Sequence, residues 1–287
     1  MKKRMITLAL TALVCISAFS IYLLISSKQI DNQPPTISFS EEVPEFSVHD
    51  PKQKYLQGVT ASDDVDADVT ASVVVESVKL TDKNGTVQLT YAAFDKAGNV
   101  TKAVREARFT DYRSPRFDLN RSLSFSSTFS YDIFSIVKAD DVIDGDISYR
   151  VRIASRDAAD VHTPGISLVE LSVRNSLGET AKLVLPVEVY DPDTYEAALT
   201  LTDYLVYLPV GTQLDAESFL DTFARSDLGV SLCDGLPEGY SLEMKSDVQP
   251  DVPGVYTVEY RVTQTIGAEE NTRTYTGYSK LIVVVEG

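Results

Sequence analysis

Two short acidic stretches hold the densest set of chemistry-bearing side chains in the sequence. The first, Ser62–Thr70, reads SDDVDADVT and carries Asp63, Asp64, Asp66 and Asp68; the second, Ala139–Ser148, reads ADDVIDGDIS and carries Asp140, Asp141, Asp144 and Asp146. Carboxylates this closely spaced are hard oxygen ligands, and Ca²⁺ takes about six to eight such oxygens at about 2.3–2.6 Å. These residues are therefore candidate calcium ligands. The helix–loop–helix calcium pattern does not fit: counting from Asp64, its required Gly falls on Val69 and its required Glu on Val75. A competing reading needs no ion, because Asp side chains accept hydrogen bonds from nearby backbone amides and so shape tight turns.

Other chemistry finds little footing. The only histidines are His49 and His162, and neither sits in a helical metal-binding pattern. Paired carboxylates of the glycosidase kind could be drawn almost at will from 42 acidic residues, but there is no Trp to build a sugar platform. The sequence reads as a non-enzyme with no catalytic residues and no organic cofactor; calcium is the one ion it offers ligands for. Of the two cysteines, Cys15 lies in an apolar N-terminal run, so Cys233 stands alone in the remainder, without an internal disulfide or a multi-cysteine metal site. Cys233 is expected to be a small apolar core residue, an intermolecular disulfide being the alternative. Asn84, Asn99 and Asn120 begin Asn-x-Ser/Thr triplets, read as chance matches at turns.

The elements that carry the acidic turns are announced by a repeat. NGTVQLTYAAFDKAGNVT from Asn84, PGISLVELSVRNSLGETA from Pro164 and PGVYTVEYRVTQTIGAEE from Pro253 share one frame. Each opens on a turn glycine (Gly85, Gly165, Gly254), places a large apolar residue six positions on (Tyr91, Leu171, Tyr260) and has a second glycine thirteen positions on (Gly98, Gly178, Gly267). Alternating apolar residues between turn glycines specify a β-hairpin. In the first two copies the return strand runs to an Asp, Asp111 or Asp191, before a break in the pattern. Helical periodicity is nearly absent; LDAESFLDTFARS (Leu214–Ser226), with Asp215 or Ser218 as a cap, is the exception and is expected to form a short helix.

The Asp-Asp-x-x-Asp-Gly-Asp turn, the Pro-Gly-x-Tyr-x-Val-x-Tyr strand and the Asp-x-Ala-Gly-Asn hairpin together resemble bacterial immunoglobulin-like repeats, similar to the hyalin-type modules of Gram-positive surface proteins. The first copy carries FDKAGNVT (Phe94–Thr101) and the second Asp144-Gly145-Asp146, whereas the third has SDLGVSLCDG in place of the acidic turn. The resemblance covers residues 30–191 well and 192–287 loosely. It implies an all-β chain of three tandem immunoglobulin-like β-sandwich domains at 29–111, 112–191 and 192–287, the last divergent, and a cell-surface setting.

Residues 1–28 are expected to be a signal anchor or transmembrane segment. Lys2, Lys3 and Arg4 precede Met5–Ile25, which is free of charge and, as a helix, long enough at roughly 31 Å to span a bilayer. Basic residues on that side place the N-terminus in the cytoplasm and the rest outside. Cleavage after Ser20 is the alternative; lipidation at Cys15 is disfavoured by the bulky Val14 before it. The formal net charge is -16, and about -20 beyond Lys2, Lys3, Arg4 and Lys28. So acidic a surface repels nucleic acid. The expectation is a membrane-anchored extracytoplasmic stalk, a spacer or adhesion and protein-interaction module. Its partner would be an extracellular or envelope protein or a cell-wall glycan. The alternative is a ligand-recognition module for glycan, peptide or a calcium-dependent ligand, with its site in 192–287.

Overall fold

The computed structural model describes residues 2–28, 31–156, 163–226, 228–267 and 272–287. One long helix, α1 (Lys2–Lys28), precedes a chain built almost wholly of strands. The window Lys3–Leu24 has a mean hydropathy of 2.2 and none of it is buried, so α1 is long and apolar enough to cross a membrane. Four of its hydroxyls are satisfied internally: Thr7, Thr11, Ser17 and Ser20 donate to carbonyls three or four residues earlier. Such back-bonding removes polar groups that hydrocarbon would leave unsolvated.

The chain divides into two compact units, Met1–Tyr112, which includes α1, and Arg113–Gly287. The strands of the first are β1 (Thr36–Phe39), β2 (Glu45–Phe46), β3 (Val59–Asp63), β4 (Ala67–Asp68), β5 (Val74–Leu80), β6 (Thr86–Phe94) and β7 (Val100–Phe109). They make two sheets, β1-β3-β4 and β2-β7-β6-β5. The N-terminal strand thus changes sheets: β1 pairs antiparallel with β3, and beyond Pro44 β2 pairs parallel with β7. Alternation dictates the core, with Val87, Leu89, Tyr91 and Ala93 of β6 all fully buried between the sheets. At Gly85 φ is +90° and an added Cβ would lie 2.4 Å from the Phe109 carbonyl oxygen, so only glycine fits this turn.

The second unit begins with a sandwich of the same plan. Its strands are β8 (Arg116–Leu119), β9 (Ser124–Ser126), β10 (Val137–Asp141), β11 (Gly145–Asp146), β12 (Arg152–Arg156), β13 (Gly165–Arg174) and β14 (Thr180–Tyr190), in sheets β11-β10-β8 and β12-β13-β14-β9. Then follow β15 (Ala197–Leu201), β16 (Leu205–Pro209), β17 (Leu220–Arg225), β18 (Leu228–Ser231), β19 (Tyr240–Ser246), β20 (Gly254–Ile266) and β21 (Arg273–Glu286). These form one sheet ordered β18-β17-β15-β21-β20-β19, with β16 parallel to the last part of β21. The three expected hairpins are present as β6/β7, β13/β14 and β20/β21, and Tyr91, Leu171 and Tyr260 are each fully buried.

The two layers of the second unit share packing. Leu281, Val283 and Val285 of β21 belong to the core of the last sheet, while Ile282, from the same strand, enters the core built on Phe117, Leu171 and Val187. Leu205 joins it there. Polar contacts follow the same seam. The Phe117 amide donates to Tyr207 Oη at 2.9 Å, Arg116 pairs with Glu286, and the Arg116 guanidinium lies 4.7 Å from the Tyr207 ring centre. Lys280, only 3% exposed, is held by Glu188 at 2.6 Å and faces Glu259 at 3.7 Å.

Two sequence expectations are corrected. Leu214–Ser226 is not a helix: a single 3₁₀ turn at Ala216–Phe219 leads straight into β17. There Leu220 and Phe223 are buried and Leu220 pairs with Leu201, so sheet packing overrides the local helical pattern. Cys233 is exposed rather than buried, and the core position beside it is taken by Leu232.

Candidate functional site

Both acidic stretches form the tip of a tight β hairpin, β3/β4 in one sandwich and β10/β11 in the other. Asp63 Oδ2 accepts from the amides of Val65 and Asp66, and Asp141 Oδ1 accepts in the same way from Ile143 and Asp144. Asp68 caps the Thr70 amide and Asp146 the Ser148 amide, each at 2.9 Å. Asp66 and Asp144 reach across to the next hairpin, taking the amides of Lys96 at 2.7 Å and Ser176 at 2.6 Å. The sequence repeat is therefore a repeat of hydrogen bonds, with the carboxylates serving as backbone acceptors.

The surroundings of the two turns differ. In the second sandwich Asp141 Oδ2 accepts from the buried Asn175 side chain at 3.1 Å, Asp144 pairs with Arg150 at 2.7 Å, and Asp140 with Arg113 at 2.9 Å. In the first, Asp63 and Asp66 are joined by Asp31, which precedes β1, and one carboxylate oxygen from each lies within 4.8 Å of the others. This is the one such group of three among the described residues. Asp64 and Asp68 stand outside it, as do Asp140, Asp141, Asp144 and Asp146. Asp63 Oδ1 and Asp31 Oδ2 are shielded from solvent and accept no hydrogen bond. Lys96 Nζ pairs with Asp66 at 2.9 Å but is itself largely exposed.

Asp95 and Asn99 complete the setting. Asn99 Nδ2 donates to the Asp95 carboxylate at 2.7 Å and to the Asp31 carbonyl at 3.2 Å, fastening the segment before β1 to the β6/β7 turn. Burial pushes the Asp95 carboxyl up, but donors from Asn99, Gly98 and Ala97 outweigh it and hold its pKa below the ordinary value. The Lys96 amide and ammonium lower Asp66. Asp31 goes the other way: the Gln33 amide pulls it down, but desolvation and the charges of Asp63, Asp95 and Asp64 raise it. Sequence reasoning missed Asp31, which sits 32 residues before Asp63 with no motif around it. Asp95 was visible inside FDKAGNVT, though only as part of a turn.

Of the histidines, His49 is exposed and His162 lies outside the described residues. A second feature with recognition chemistry is a shallow groove in Arg113–Gly287 lined in part by Arg121, Tyr190, Tyr195 and Tyr278. Tyr195 stacks on Tyr278 with ring centres 4.9 Å apart, and Tyr190 meets Tyr195 edge-on at 4.9 Å.

No protein-family model and no curated protein matches this chain. Among solved structures it is similar to the M60 catalytic domain with the CBM51-1 and CBM51-2 domains from Clostridium perfringens ZmpB (12% identity, 90% of this chain and 43% of that one, TM-score 0.26). It is also similar to protocadherin gamma B2 extracellular cadherin domains 1–5 (12%, 90% and 61%, TM-score 0.19) and to Drosophila N-cadherin EC1–4 (13%, 90% and 76%, TM-score 0.22). The chain spans about two fifths of the length of the clostridial structures it matches. None of these likenesses bears on ligand or partner.

Proposed function

We propose that this chain is a membrane-anchored, extracytoplasmic, non-catalytic stalk. In this reading α1 is the single-pass anchor with its N-terminus in the cytoplasm, and the domains 29–111, 112–191 and 192–287 serve as a spacer and an adhesion or protein-interaction module. The observation that carries it is the pairing of an unburied 22-residue apolar window in α1 with tandem sandwiches downstream. The acidic turns support a non-catalytic role, since their carboxylates are largely engaged with backbone amides instead of standing free for proton transfer.

The test is crosslinking on intact cells, then pull-down of the tagged full-length chain and mass spectrometry. Recovery of one envelope or extracellular protein, lost when residues 192–287 are deleted, supports the reading; recovery of the chain in the cytoplasmic fraction refutes it. A second reading, recognition of a glycan or peptide, is favoured by the groove of Arg121, Tyr190, Tyr195 and Tyr278, because aromatic faces beside a guanidinium suit such ligands. Binding to a glycan or peptide array that is lost in Tyr195→Ala would support it.

A further inference from the structure

The first sandwich departs from the second at one point that changes the electrostatics of its acidic turn. Asn175 follows β13 directly, its amide bonds to the Glu179 carbonyl, and its side chain donates to Asp141. Asp95 follows β6 directly and bonds to the Asn99 carbonyl in the same way. An amide donor has thus been replaced by a buried carboxylate, and Asp63 Oδ1 is left without the donor that Asp141 enjoys. Asp31 then adds a further carboxylate oxygen that is equally shielded and unpartnered. The side chain of Asp63 is buried, while the residue as a whole remains partly accessible.

The charge balance makes the same point. Asp31, Asp63, Asp66 and Asp95 bring four formal negative charges to the first turn against the one ammonium of Lys96. The matching positions of the second hold Asp141 and Asp144 against the Arg150 guanidinium. Shielded carboxylate oxygens without donors are costly unless a cation or a proton satisfies them. We propose that Asp31, Asp63 and Asp66 form a calcium site in the first sandwich, and that the second sandwich has no counterpart. A set of three carboxylates matches the oxygen-only, flexible shell of Ca²⁺ better than the strict octahedron of Mg²⁺. Since Asp31 lies between α1 and β1, the ion would fasten the chain that follows α1 to the β3/β4 turn. This goes beyond the stalk reading and does not depend on it.

The experiment uses the full-length chain in detergent micelles, stripped of metal, with Ca²⁺ or Mg²⁺ added alone. Isothermal titration calorimetry is expected to give one Ca²⁺ site with a Kd of about 10⁻⁴–10⁻³ M, as in extracellular modules. At tenfold excess over that Kd, the unfolding transition of the first unit is expected to rise by about 5 °C or more over chelator. Asp63→Asn and Asp31→Asn abolish both effects, whereas Asp144→Asn leaves them intact. Asp95→Asn, which restores the amide of the second sandwich, weakens Ca²⁺ binding and raises the melting temperature in chelator. Coincident melts in Ca²⁺ and chelator for the unmutated chain, with no heat of binding, overturn the proposal and mean that a shared proton satisfies the carboxylates. So does a Ca²⁺ response that survives Asp31→Asn, or one lost in Asp144→Asn.

Discussion

Replacing Ile282 by Ala tests whether the sandwich of β8–β14 and the sheet of β15–β21 are one folding unit. Ile282 is 2% exposed and is contributed by β21 to the core of the preceding sandwich, with Leu205 beside it in register. Truncating a buried Ile to Ala costs about 2–5 kcal/mol in transfer and cavity terms. Taking about 3 kcal/mol, and about 2–4 °C per kcal/mol for a unit of this size, the transition of Arg113–Gly287 falls by about 6–12 °C. Calorimetry of the full-length chain reads the shift, with the transition of the first unit as internal reference. Native-state hydrogen exchange then locates it: β13 and β14 lose protection together with β20 and β21. Leu232→Ala, confined to the core of the last sheet, is expected to lower the same single transition. If Ile282→Ala splits the transition, or leaves protection of β13 and β14 untouched, the shared core does not couple the two layers and the reasoning fails.

Gly85→Ala in the first unit forces a side chain into a +90° φ and against the Phe109 carbonyl, and is expected to lower stability by about 2 kcal/mol in a chemical-denaturation titration. Arg105, 3% exposed, donates to Tyr91 Oη at 2.8 Å and the Tyr55 carbonyl at 3.1 Å; Arg105→Lys keeps the charge but not the fork, and should cost about 2 kcal/mol in the same assay. The pKa of Asp82 is lowered by hydrogen bonds from Thr86 and that of Asp111 by those from Ser47 and Val48. A depressed carboxyl contributes stability that is present above its unfolded pKa, near 3.8, and is lost as pH falls through the folded value. The first unit should therefore melt progressively lower below about pH 4, and Asp82→Asn or Asp111→Asn should flatten that slope in melts from pH 7 to 2.5.

Much of the fold was legible because it is written in local rules. Turn glycines with alternating residues between them fixed the hairpins, and the inward position six residues after the first glycine holds a fully buried Tyr91, Leu171 or Tyr260. The glycine rule was not uniform: Gly85, Gly98 and Gly178 adopt positive φ, but Gly254 does not. Long-range pairing left no such trace. The LIVVV run of β21 was readable only as a strand, yet its unbroken apolar character reflects cover on both faces, by two different cores. Leu214–Ser226 shows the reverse error, a helical period claimed by a sheet. At the acidic turns the sequence named eight aspartates, of which the structure brings Asp63 and Asp66 together with Asp31, while the other six lie outside that group. What separates them is whether Asn or Asp follows the hairpin strand, and whether a distant Asp31 arrives, neither of which spacing along the chain reveals.

The short leading strand that each layer lays beside its closing strand carries a mechanical meaning. In every layer a short leading strand runs parallel to the closing one: Glu45–Phe46 beside Arg108–Phe109, Ser124–Ser126 beside Glu188–Tyr190, and Leu205–Pro209 beside Ile282–Glu286. Tension between a tethered N-terminus and a loaded C-terminus drags such neighbours past each other lengthwise, so their cross-strand hydrogen bonds resist together instead of opening one by one. The patch grows along the chain from two paired positions to three and then five. Under rising load the layer nearest the N-terminus in sequence would yield first, acting as a fuse that spares the layer most distant in sequence.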